Sequence, residues 1–183
     1  VDYKTAPLSA VAQAATEKSG QAYPIEFDTE FPSFCFALAT GVGKTRLMGA
    51  SIYHLWRTKG YRHFFILTPN ITIYDKIRAE LSPSHPKNLF IGLSDFPCPV
   101  VYDGDSYLRF RPEQYELDNP AIVFVFNIGK IFTNRDRDFR FHQFNETLGD
   151  SFSAILQEMD DLVVLMDESH RYRGKASLEA INY

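Results

Sequence analysis

The sequence predicts an α/β fold: a mostly parallel sheet with helices on both faces, in three layers. Two observations predict it. Four apolar runs, at residues 33–39, 63–67, 121–126 and 162–166, lack the polar alternation of half-solvated strands, as strands covered on both faces should. Between them lie segments whose apolar residues recur at helical spacing. A chain of 183 residues with 45% apolar content has enough material for one such domain with a real core.

Composition narrows the functional classes. The net charge is −4, so any nucleic-acid contact must come from a local patch. No apolar run approaches bilayer length, and the first residues lack the blocks of a signal peptide. Cys35 and Cys98 are too far apart for a C-x-x-C pair. They read as free thiols of a reducing compartment, which makes the cytoplasm the default location. Aromatic residues, at 15%, are abundant and mostly destined for the core.

Taken in order, residues 9–18 form a weak helix stopped by Gly20, and residues 23–32, with Pro24 and Pro32, form an irregular lead-in. Tyr23 or Phe27 either stacks on a base or, the blander reading, packs over the sheet edge. Residues 33–39 are the first strand. Residues 45–58 are a helix with Leu47, Met48, Ile52, Leu55 and Trp56 on one stripe, and Gly60 ends it. Residues 63–67 are the second strand, followed by Thr68-Pro69-Asn70 and a helix over 71–81.

The Pro-rich region 82–120 predicts loops and one short strand or hairpin. In it, Asp103-Gly104-Asp105-Ser106 reads as a solvated turn rather than a cation site. Residues 121–126 are a buried strand. Residues 133–145 interleave Arg135, Arg137 and Arg140 with aromatics. That pattern suits a single strand of nucleic acid, but a solvated loop is the favoured reading. Residues 151–159 are helical, with Phe152, Ile155, Leu156 and Met159 on one face, and 162–166 form the last buried strand.

Chemistry concentrates after two of the strands. Thr40-Gly41-Val42-Gly43-Lys44-Thr45 joins the first strand to the first long helix. Glycines let the backbone wrap phosphate oxygens with its N–H groups, and the helix adds its positive end. Thr40, Gly41, Val42, Gly43, Lys44, Thr45 and Arg46 form the candidate cradle. Lys44 reaches the β/γ-phosphates, and Thr45 ligates Mg²⁺. The common pattern G-x-x-x-x-G-K-[ST] places its first glycine at Leu38, one departure from the motif. The last strand delivers Asp167-Glu168-Ser169-His170. Asp167 suits a Mg²⁺ ligand, Glu168 a base for the attacking water, and His170 a coupling residue. Thr68 and Asn70, and Asn127 with Lys130, follow strands on the ligand side and suit backbone contacts to nucleic acid. For Asn70 a plain helix N-cap is the favoured alternative.

T-G-V-G-K-T with L-M-D-E-S-H resembles motifs I and II of superfamily 2 helicases and translocases. L-T-P-N (Leu67 to Asn70) resembles motif Ia, and F-N-I-G-K (Phe126 to Lys130) the next backbone-contacting motif. The wording F-A-L-A-T-G-V-G-K-T-R-L-M-G with D-E-S-H-R-Y is most similar to the Res subunit of type III restriction-modification enzymes. The resemblance implies a RecA-like first motor domain over 33–183, preceded by a lead-in over 1–32. It implies ATP and Mg²⁺, DNA, a second RecA-like domain with an arginine finger, and a methyltransferase or specificity subunit as partner. A chain that begins without Met and stops soon after motif II is expected to be a fragment, weak or inactive alone. The competing readings are another class of P-loop NTPase and a nucleotide-binding module without turnover.

Overall fold

The computed structural model describes residues 6–20, 27, 31–115, 120–131, 144–146, 148 and 150–169. The chain divides into two units, Val1–Val42 and Gly43–Tyr183.

In the first unit, helix α1 (Leu8–Ser19) ends at Gly20 with φ 66, the left-handed conformation that suits glycine at a helix stop. Phe27 meets the Phe34 ring edge-on, with centroids 5.4 Å apart. The strand expected at residues 33–39 is absent, and Phe34, Phe36 and Leu38 are exposed. An apolar run becomes a strand only when a neighbour takes up its N–H and C=O groups, and no strand lies among the described residues of this unit.

The second unit is built on a four-stranded sheet. Its strands are β1 (His63–Thr68), β2 (Val100–Asp103), β3 (Ile122–Asn127) and β6 (Leu162–Met166), in the order β2-β3-β1-β6. All three pairings are parallel. A small antiparallel pair, β4 (Phe144–Asn145) with β5 (Asp150–Ser151), stands apart from it.

Strand alternation sorts the core into two layers. Phe64, Ile66, Val123 and Val125 face one side, with Ile52 of α2 (Lys44–Lys59) and Tyr74 and Ile77 of α3 (Ile71–Leu81). Phe65, Leu67, Ile122, Phe124 and Phe126 face the other, with Ile131, the last residue of α4 (Ile128–Ile131), and Phe152 and Leu156 of α5 (Phe152–Gln157). This is the expected three-layer arrangement. Full burial of Phe64 and Phe124 contributes about 1.5–3 kcal/mol each.

Local chemistry sets the element ends. Asn70 accepts from the Ile73 N–H at 2.9 Å, and Ser151 accepts from the Ala154 N–H at 3.2 Å, so each caps the helix that follows. Trp56 is a packing residue, its ring edge-on to Phe96. At the amino ends of the strands, Asp161 accepts from the Arg62 N–H and pairs with the His63 ring, which ties β1 to the start of β6.

The short strand or hairpin expected in the Pro-rich region is a strand, β2, paired in parallel with β3. The expectation of a buried last strand needs correction. β6 is not fully buried, because Val164 and Met166 are 46% and 37% exposed. It pairs only with β1 among the described residues, so one side of it lacks a neighbour.

The Asp103 turn is a hydrogen-bonded structure. Its Oδ1 accepts from the Ser106 hydroxyl at 2.7 Å and from the N–H groups of Asp105 and Ser106, while Oδ2 meets Arg78 at 3.1 Å. Burial works to raise this carboxyl's pKa, but the Ser106 hydroxyl, the two N–H groups and the Arg78 guanidinium outweigh it and hold it below the ordinary value. A depressed carboxylate gives stability that is present above its unfolded pKa and lost as pH falls through its folded one. Asp103→Asn should therefore lower the denaturant midpoint near neutral pH and flatten its decline in acid. A decline as steep as in wild type would contradict this assignment.

Candidate functional site

The site starts from a glycine. Gly43 is the N-cap of α2 with φ 100, and Gly41 has φ 83, both in the region that side chains avoid. Lys44 is the first residue of α2, and Thr45 and Arg46 follow in its first turn. Thr40 and Val42 are exposed.

The other half comes from β6. The Asp167 N–H donates to the Leu67 carbonyl at 3.1 Å, carrying the β6–β1 ladder one residue further. The chain then turns sharply at Glu168, a non-glycine residue with φ 53. Such a torsion costs of the order of 1 kcal/mol and persists where the surroundings enforce it. Here it accompanies a contact across 124 residues of sequence: Lys44 Nζ donates to Glu168 Oε1 at 2.8 Å. The two side chains are 31% and 27% exposed, open enough to exchange partners.

The electrostatics follow. The hydrogen bond to Glu168 raises the Lys44 pKa, desolvation opposes it, and the charges of Glu168 and Asp167 add to the rise. The result is a fixed ammonium beside two carboxylates, at the end of a helix whose dipole also favours anions. Among the described residues, no group of three His, Cys, Asp or Glu could by itself hold a metal ion. Thr45 carries a hydroxyl and Asp167 a carboxylate, donor types that suit Mg²⁺, which keeps several waters and takes phosphate oxygens to complete its shell.

The remaining expected residues fall elsewhere. The Thr68 hydroxyl is fully buried and donates to the Phe126 carbonyl at 3.1 Å. Asn127 is buried, and its Oδ1 accepts from the Gly129 N–H at 2.7 Å. Asn70 caps α3. All three side chains shape loops at the carboxyl ends of β1 and β3. Arg46 does not sit with the carboxylates; its NH1 donates to the Asn88 carbonyl at 2.9 Å. His170 and the Lys130 side chain lie outside the described residues, as does nearly all of the arginine-aromatic stretch. Sequence reasoning gave Asn88 no role, and an Asn in a Pro-rich segment carries no signal of one.

Gly43→Ala should leave the chain folded but strained at φ 100, costing about 1–2 kcal/mol. Thermal unfolding checks this, and an unchanged midpoint would contradict it.

The chain matches the family model of the type III restriction enzyme Res subunit over residues 6–183. It is 31% identical over 145 residues to the probable type III restriction-modification enzyme HindVIP Res subunit of Haemophilus influenzae, an alignment covering 76% of this chain. The chain spans about a quarter of that relative, 24% of its length. No solved structure matches it.

Proposed function

The chain belongs to the family of type III restriction enzyme Res subunits, and from that membership we propose that it is an ATP-binding and ATP-hydrolysing motor domain that acts on DNA. The observation that carries this reading is the contact between Lys44 and Glu168, which joins the glycine loop to the acidic end of β6. A glycine-strand turn and an acidic strand end are each common. A lysine at the head of a long helix held against Glu168, beside Asp167, is the equipment of a Mg²⁺-nucleotide hydrolase.

In this reading residues 33–183 act as the motor domain and 1–32 as its lead-in. Backbone N–H groups from Thr40, Gly41, Val42 and Gly43 cradle phosphate oxygens. Lys44 leaves Glu168 for the β/γ-phosphates when nucleotide enters, exchanging one anionic partner for another. Thr45 and Asp167 would hold Mg²⁺, which would supply charge neutralisation to the phosphates. Glu168, released from Lys44, orients the attacking water and takes its proton. His170 couples this site to the bound strand or to a neighbouring domain.

DNA contacts fall to the loops after β1 and β3. Thr68, Asn70 and Asn127 shape those loops, and the N–H groups of the first turn of α3 and the Lys130 ammonium meet the backbone phosphates. In this reading a second RecA-like domain supplies an arginine finger, a contribution worth about 10³–10⁵ in rate. A methyltransferase subunit is the proposed partner, and DNA cleavage belongs to the whole enzyme. The free, exposed Cys35 and Cys98 agree with a cytoplasmic setting. No helix among the described residues is long and apolar enough to cross a membrane.

Calorimetry with MgATP tests the reading. Wild type should bind, and Lys44→Ala should lose most of the affinity. Glu168→Gln should bind at least as tightly as wild type, because its neutral amide no longer competes for Lys44, yet lose turnover. A Glu168→Gln variant with unchanged retention and unchanged turnover would make the chain a nucleotide-binding module instead.

A further inference from the structure

Helix α2 is fastened along its length by residues 82–97. Arg46 NH1 donates to the Asn88 carbonyl at 2.9 Å. One turn on, Gly49 faces Leu89 so closely that an added Cβ would lie 3.0 Å from the Leu89 Cβ. The Tyr53 hydroxyl donates to the Asp95 carboxylate at 2.9 Å, and Arg57 Nε meets the same group at 3.0 Å. Tyr53 and Trp56 both meet the Phe96 ring edge-on. Residues at this spacing share one helix face.

The same segment is fastened to the end of α3. Asn88 Nδ2 lies 3.3, 3.3 and 3.0 Å from the carbonyls of Glu80, Leu81 and Ser82, which the helix itself leaves without partners. Asn88 Oδ1 accepts from the Phe90 N–H at 2.8 Å, and the Leu89 N–H donates to the Glu80 carbonyl at 2.8 Å. Asn88 is only 8% exposed, and one residue therefore bridges the last turn of α3 and the first turn of α2.

We propose that Asn88 and Arg46 form a strut that fixes α2 along its axis and so holds Lys44 at the distance that meets Glu168 and a nucleotide phosphate. Both are positioning residues. Arg46 acts through Asn88 rather than on phosphate. The strut also joins the nucleotide helix to α3, whose first turn stands on the rim where β1 ends. The effect on nucleotide rests on the proposed ATP site; the strut itself does not.

Two measurements on the nucleotide-free and MgATP-titrated chain separate these claims. In Arg46→Ala, amide hydrogen exchange at Leu89 and Phe90, neither of which Arg46 bonds, should quicken about tenfold, the worth of one charge-assisted hydrogen bond. MgATP affinity should fall by a similar factor. Gly49→Ala adds no polar group near the phosphates, yet should act in the same direction. The double variant should bind no worse than the weaker single, since both loosen one device. Lost affinity in Arg46→Ala with unchanged exchange would assign Arg46 to the phosphates and overturn the strut. Strictly additive losses would also overturn it. If Gly49→Ala does not fold, the exposed Arg46 variant still decides through exchange. A wild type that binds no MgATP would overturn the ATP-site reading, while exchange would still judge the strut.

Discussion

The structure depends on the double parallel pairing of β1. His63 lies opposite Ile122 of β3 and opposite Leu162 of β6, so both neighbours keep step with one central strand. Parallel strands in common register end on the same rim. Thr68 therefore lies opposite Asn127, and the Asp167 N–H bonds the Leu67 carbonyl beside them. Ligands of open α/β sheets bind at such carboxyl ends. The opposite rim is tied by Asp161 to Arg62 and His63, so the register is held from both ends of β1.

On that rim the chain places charge it does not neutralise by burial. Lys44 and Glu168 meet while both are partly open to solvent. An exposed ion pair contributes little to stability, so its value lies in position. In the proposed function Lys44 stands beside a carboxylate that a more highly charged anion replaces. The left-handed torsion at Glu168 belongs with this, because strained backbone persists only where its surroundings enforce it. The contact with Lys44 at the start of α2 and the β6–β1 ladder that runs to Asp167 are those surroundings.

Much of this was legible in the sequence, for physical reasons. Buried strands announce themselves by unbroken apolar runs, as at 121–126. Helix α3 announces itself by a capping Asn70 and an apolar stripe. Lys44 and Glu168 stand out in the sequence because their residue types, after a glycine pair and at a strand end, are those phosphate chemistry would use, and the structure brings the two side chains together. Other features depend on partners that local sequence does not name. Val100–Asp103 is a strand because β3 accepts it, not because four residues insist on it. Residues 33–39 show the converse, an apolar run without a strand neighbour among the described residues of its unit. Asn88 matters through three carbonyls at the end of another helix, a relation that exists only in three dimensions.

In the proposed function Lys44, Glu168 and Asp167 form a polyphosphate site whose anions displace Glu168 from Lys44. The most direct test is to follow the Lys44 side-chain ammonium by NMR while AMP, ADP and ATP are added in turn with Mg²⁺. A saturable change that is largest with ATP, weaker with ADP and absent with AMP is the predicted result. A Lys44 signal unchanged by ATP, or moved equally by AMP, would contradict it.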